Sequence, residues 1–108
     1  MDQPTAITAL AALAQETRMT VFRLLIQAGP QGMTAGDVAV AAKAVPSTLS
    51  HHLAMLERAG LITSARDGRS LIYAANYAGT RALLAFLMED CCQGAPEICA
   101  PALACAQA

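Results

Sequence analysis

Residues 45–75 read VPSTLSHHLAMLERAGLITSARDGRSLIYAA, and the punctuation of this stretch decides the fold. Pro46 suits the first turn of a helix, where a backbone N–H has no intrahelical partner to lose, and Gly60 suits its end. Between them Leu49, Leu53 and Leu56 form one apolar stripe. Ser47, Ser50, His51 and Ala54 fall on the other side at spacings of three and four, with Arg58 further along. An ordinary solvated face carries a mixture of Glu and Lys, whereas this one has small hydrogen-bonding groups and an imidazole. Beyond Gly60, Leu61 to Ala65 and Ser70 to Ala75 are strand-like runs around Arg66-Asp67-Gly68-Arg69. Asp-Gly is a strong hairpin-turn signal because both residues tolerate positive φ. A helix therefore leads directly into a two-stranded hairpin whose tip is bracketed by arginines.

Upstream, Thr34 and Asp37 resemble a capping box, with Asp in place of Glu, opening a third helix that runs through Ala42. A second helix is predicted from about Glu16 to Ala28, with Met19, Phe22 and Ile26 as buried candidates, and Gly29-Pro30 stops it. Thr5 to Leu13 carries Ile7, Leu10 and Leu13 at helical spacing and reads as a short first helix. Two short helices joined by a tight turn, the second presenting a small polar face, fit a helix-turn-helix, and the hairpin after it fits a wing. A fifth helix is predicted from about Tyr77 to Cys91, with Leu83, Leu84, Phe86 and Leu87 spread over more than one face. That spread predicts burial on two sides, one against its own domain and one against a partner subunit. The predicted fold is mainly α with a small β-hairpin wing: a five-helix winged helix-turn-helix over residues 1–92. An irregular tail containing Gly94, Pro96 and Pro101 follows over residues 93–108.

The chain has 108 residues, the size of one domain. Hydrophobic residues make up 56% but aromatics only 4%, and roughly a quarter of the chain is alanine. Small side chains bury little area each, so the core should be thin, and a dimer sharing its core would relieve the shortage. The low charge (14%) and high hydrophobicity exclude a disordered chain. No run approaches the ~20 apolar residues of a membrane span. The start, Met1-Asp2-Gln3-Pro4, lacks the basic segment of a signal peptide, so a cytoplasmic protein with no membrane partner is expected. A net charge of −1 argues at first against nucleic acid. Its distribution changes that. Lys43, Arg58, Arg66, Arg69 and Arg81 outnumber Asp37, Glu57 and Asp67 in the middle, while from Glu89 onward only Glu89, Asp90 and Glu97 are charged.

With these residues laid out, the chain resembles the ArsR/SmtB family of dimeric winged-helix transcriptional repressors. The matching stretches are ALAQETRMTVFRLL (residues 12–25), VPSTLSHHLAMLERAGLI (45–62) and RDGRSLIYAA (66–75). The resemblance spans about Ala9 to Cys92 and implies a homodimer through the first and fifth helices, bound to a palindromic double-stranded DNA operator. A two-fold dimer would place its recognition helices about 34 Å apart in successive major grooves. Ser47, Thr48, Ser50 and His51 can donate to phosphates or base edges. Arg66 and Arg69 suit phosphates or a narrow minor groove, and Lys43 suits the DNA backbone. His52, three positions after Leu49, is expected to be half-buried and structural. Thr48 can instead turn its hydroxyl to the helix terminus.

Four cysteines, Cys91, Cys92, Cys99 and Cys105, all fall in the last eighteen residues. Thiols clustered in a cytoplasmic protein point to metal or redox chemistry rather than to a disulfide scaffold. One arsenic site of the family lies at the start of the third helix, where this chain reads GMTAGDVA without a cysteine. A zinc site of the family uses Asp and His along the fifth helix, which here has no His. What remains is CCQGAPEIC (91–99), similar to the C-terminal clusters of a subgroup responding to trivalent arsenic. Adjacent helical residues diverge by about 100°, so Cys91 and Cys92 can share a centre only if the helix ends at or before Cys92. Gly94 and Pro96 then let the chain turn back with Cys99, and three convergent thiols suit a soft centre. A helix C-terminus with Glu89 and Asp90 nearby should raise the thiol pKa values, unlike a redox thiolate. Neutral arsenous acid can condense with three thiols without preformed thiolates. The expected inducer is therefore As(III) or Sb(III) on Cys91, Cys92 and Cys99, with Cys105 dispensable and no organic cofactor. The alternatives on the same cysteines are a soft divalent ion (Cd, Pb or Zn) and thiol oxidation or persulfidation. A dithiol reductase would need a nucleotide-binding glycine loop and a base to activate the thiolate, and the sequence shows neither, so no enzyme and no protein substrate are expected. A metallochaperone would leave the wing unexplained.

Overall fold

The computed structural model describes residues 1–89. Cys91, Cys92, Cys99 and Cys105, and with them the tail from 93 to 108, lie outside the described residues. Five helices and three short strands follow one another: α1 (Gln3–Leu13), α2 (Glu16–Ala28), β1 (Met33–Thr34), α3 (Ala35–Ala42), α4 (Pro46–Arg58), β2 (Ile62–Asp67), β3 (Ser70–Ala75) and α5 (Tyr77–Leu87). No helix among the described residues is long and apolar enough to cross a membrane.

Helix boundaries follow the caps. Asp2 accepts a 2.9 Å hydrogen bond from the Thr5 N–H, so α1 opens two residues before the predicted Thr5, with Pro4 in its first turn. The bonds from Thr5 hold the Asp2 carboxyl below its ordinary value. Thr34 accepts from the Asp37 N–H at 3.1 Å and caps α3 as predicted. Pro46 opens α4, and Gly60 follows its cap residue with φ of +80°.

Leu25, Leu49, Leu53, Leu56, Leu61, Ile62, Val21 and Val38 are the largest fully buried side chains, so the stripe of α4 does face the core. The first helix inverts the prediction. Its buried stripe is Ala6, Ala9 and Ala12, while Ile7 and Leu10 are 56% and 42% exposed. Methyl side chains let one helix approach its neighbours closely, and that approach selects the alanine face over the bulkier one. In α2 Phe22 is buried as predicted, Met19 is exposed, Ile26 is half-buried, and Val21 and Leu25 complete the stripe.

The sheet has three antiparallel strands in the order β1-β3-β2, one more than the predicted hairpin. Met33 pairs with Tyr73 and Thr34 with Ile72, which fastens the entrance of α3 to the hairpin. The hairpin turn also differs from prediction. Asp67 pairs with Ser70, so the two loop residues are Gly68 and Arg69, not Asp67 and Gly68. Gly68 has φ of +64° and Arg69 does not have positive φ, the pattern of a hairpin turn with glycine in first place.

α5 is pinned at its start. The Asn76 side chain donates to the Gly60 carbonyl at 2.9 Å and accepts from the Gly79 N–H at 3.1 Å, and Tyr77 donates its hydroxyl proton to the Ile26 carbonyl at 3.0 Å. The helix then closes at Leu87, short of the predicted Cys91, with Met88 as its cap. Glu89 follows at the negative end of the helix dipole, where a carboxylate is unfavourable. Only Leu83 of α5 is buried, Phe86 packs partly against the core, and Leu87 is 50% exposed.

Candidate nucleic-acid interface

Ser47, Thr48, Ser50, His51 and Ala54 are all exposed on α4. Two of the hydroxyls are turned back onto the helix: Thr48 donates to the Val45 carbonyl at 2.9 Å, and Ser50 to the Pro46 carbonyl at 3.4 Å. Both keep acceptor lone pairs. Val45, the residue at the N-cap, makes no side-chain cap bond, so the positive end of this helix is left uncompensated by a side chain. Lys43 is exposed on the turn between α3 and α4. His51 sits at the border of the face. It also lines an open groove of about 470 Å³ between α1 and α4, together with Ile7, Met55 and Arg58.

α4 is also held by a residue that the sequence reading passed over. Arg18 of α2 donates from Nε to the Ala12 carbonyl at 2.6 Å, lies 3.3 Å from His52 Nδ1, and reaches Met55 Sδ at 3.4 Å. One guanidinium thus ties α1 and α2 to α4. The half-burial expected for His52 is observed, and a half-buried imidazole needs a polar neighbour, which is the signal that could have found Arg18. Burial first, then the Arg18 charge and the His51 ring, holds the His52 pKa below 6.5. A base depressed in the fold makes stability fall with acid: the unfolded chain takes up the proton near 6.5, the native one only at lower pH. Urea midpoints should therefore decline as pH drops from about 7 to about 5.5, and His52→Gln should flatten that decline. The carboxylate Asp2 acts in a lower window, below 3.8.

At the hairpin, Arg66 pairs across from Leu71 and Arg69 stands in the two-residue loop, both exposed. The base of the hairpin is tied to α4 by Ser64, which donates to Glu57 Oε2 at 2.7 Å, a link not anticipated from the sequence. Among the described residues no three His, Cys, Asp or Glu side chains gather as a metal-binding group.

Residues 13–65 match a family model described as a helix-turn-helix domain. The transcriptional activator HlyU of Vibrio cholerae serotype O1 is 26% identical over 88 residues, 82% of this chain and 79% of that protein. The solved structure of HlyU from Vibrio cholerae N16961 superposes with a TM-score of 0.66 at 25% identity, covering 86% of this chain and all of that one. A Mycobacterium bovis domain, Mb0332, superposes with a TM-score of 0.65 at 23% identity over 81% of each chain. It is described as a homodimeric winged helix-turn-helix DNA-binding domain of a possible ArsR-family regulator.

The fold is a winged helix-turn-helix. In it α3 and α4 form the helix-turn-helix, α4 occupies the place of the recognition helix, and β2 with β3 is the wing. Lys43 fills the turn in a left-handed conformation, φ 54° and ψ 43°, with its N–H returned to the Ala39 and Val40 carbonyls. This geometry suits glycine better than a β-carbon. Lys43→Gly should raise stability by about 0.5–1 kcal/mol, and it should weaken duplex binding if Lys43 holds a phosphate. Thermal melts and duplex titrations at several salt concentrations check both signs at once.

Proposed function

We propose that this protein is a dimeric transcriptional regulator that grips a palindromic duplex operator through α4 and the wing. The observation that carries the reading is the outer face of α4. It offers small hydroxyls and one imidazole, and it is flanked by the exposed cations Lys43, Arg66 and Arg69 on a winged helix-turn-helix. Its similarity to HlyU, named a transcriptional activator, supports a binding role and not an enzymatic one. The homodimeric description of Mb0332 supports pairing of two copies, and Ile7, Leu10 and Leu87 supply exposed apolar side chains on the first and fifth helices for it. Selection from a random duplex pool with the purified chain tests this directly. Enrichment of an inverted repeat supports the proposal, and recovery of the unselected pool rejects it.

The same regulator responds to As(III) or Sb(III), which condenses with Cys91, Cys92 and Cys99 and lowers operator affinity. Three thiols are a donor set matched to a soft centre. A coupling of about 1–3 kcal/mol would weaken operator binding roughly 5–150-fold. Arsenite should release the operator from the parent chain and from Cys105→Ser, and should fail with Cys91→Ser, Cys92→Ser or Cys99→Ser. One of the structural neighbours is described as reduced HlyU, which favours testing thiol oxidation as the second reading. Peroxide and cadmium in parallel assays separate the three inducers, and release by arsenite with all three cysteines replaced overturns the site.

A further inference from the structure

Between Val45 and Leu56 there is no Arg, Lys, Asn or Gln. The forked side chains that read guanine or adenine with paired hydrogen bonds are therefore missing from the first three turns of α4, the part of a recognition helix that meets base edges. What the helix shows there instead is aliphatic. Val45, at the N-cap, is 62% exposed. The Thr48 hydroxyl is directed to the Val45 carbonyl at 2.9 Å, so the part of this exposed side chain left facing outward is its methyl group. Ala54 adds a further exposed methyl two turns along. Ser50 likewise turns its hydroxyl to the Pro46 carbonyl.

Resting on the DNA-binding reading, we infer that Val45 and Thr48 are specificity determinants that recognise the 5-methyl groups of thymine in the major groove. Thymine is the base whose major-groove edge carries a methyl group, so an aliphatic surface selects it by apolar contact alone. The nearby cations Lys43, Arg66 and Arg69 hold the duplex without discriminating between sequences. Ser47 and His51 contribute single hydrogen bonds, which two different bases can satisfy. A helix face of this composition discriminates by shape and methyl contact. Its individual base contacts are consequently worth little each, and several thymines must act together.

The test uses the full chain and the duplex enriched from a random pool. Each thymine is replaced singly by deoxyuridine, which deletes the methyl and leaves every hydrogen-bonding group in place. Affinity should fall about three- to fivefold at contacted positions, the worth of one buried methyl group. A two-fold dimer carries each substitution in both half-sites, so Thr48→Ser should lower affinity for the thymine duplex by about the square of that factor, and Val45→Ala, which removes two methyl groups, by at least as much. Thr48→Ser should add no further loss on a duplex whose opposing thymines are uracil in both half-sites, and both variants should melt within a few degrees of the parent. Introducing 5-methylcytosine for cytosine at such a position should improve binding. Equal affinity for every uracil duplex overturns the inference, as do uracil and side-chain losses that simply multiply; an unaffected duplex would leave the valine face to a protein partner. Failure to enrich any duplex is a different result, since it removes the DNA-binding reading itself.

Discussion

Gly32→Ala is expected to lower stability by about 3 kcal/mol, from two independent sources. Gly32 has φ of +71°, a conformation that a β-carbon disfavours by roughly 1–2 kcal/mol. A β-carbon there would also fall on the Tyr73 carbonyl oxygen and press on the Ile72 side chain. These obstacles belong to the centre strand of the sheet, paired on one side with Met33 and Thr34 and on the other with β2. They cannot step aside without breaking a ladder. Relief would come from separating β1 from β3, and β1 runs straight into Thr34, the residue that caps α3. The helix-turn-helix would then lose its anchor on the wing, so duplex binding should fall along with the urea midpoint. Gly36→Ala is the internal control with the opposite sign. Gly36 lies within α3 with only Thr34 Oγ1 nearby, at 3.9 Å, so alanine should stabilise by about 0.5–1 kcal/mol through helix propensity. A Gly32→Ala chain as stable as its parent would show that the short β1 pairing is dispensable.

That pairing also shows where sequence reading stops. The stretch from Pro46 to Ala75 was legible because its signals are local: a proline, a leucine period, Gly60 and an Asp-Gly turn act within a few residues of themselves. A two-residue strand has no period. Met33 and Thr34 become a strand only because Tyr73 and Ile72 are brought opposite them by the rest of the fold. The turn offset has a related cause, since pairing along the whole of β2 and β3 draws Asp67 into the ladder and leaves Arg69 in the loop. On α1, hydropathy ranks Ile7 and Leu10 above Ala6 and Ala9, yet close helix packing reverses that order. The interface divides in the same way. The exposure of Ser47, Ser50 and His51 could be read from the α4 period, whereas the turning of the Thr48 and Ser50 hydroxyls onto the backbone depends on rotamers that no pattern encodes. Arg18 was missed because its three partners come from two other helices.

The second large effect is expected at the wing. Replacing Arg66 and Arg69 together by alanine should weaken duplex binding by about a hundredfold near 0.1 M salt with little change in stability. Both side chains are exposed, and Arg69 stands in the loop outside the strand ladder, so the fold does not depend on them. The contribution proposed for them in DNA binding is electrostatic. Each phosphate neutralised releases condensed counterions, so affinity falls steeply as salt rises. A two-fold dimer presents both arginines twice, and removing all of them should make the plot of log affinity against log salt shallower by about 3 to 4. The slope carries more information than the affinity. If the arginines contact phosphates, the loss should be uniform across sequences. If they enter a narrow minor groove, the loss should be greatest on duplexes whose groove is narrow, and the slope should change as well. An unchanged affinity and slope would mean that the wing does not touch the duplex, leaving α4 and Lys43 to hold it alone. The hairpin's pairing with β1 would then be its main contribution to the molecule.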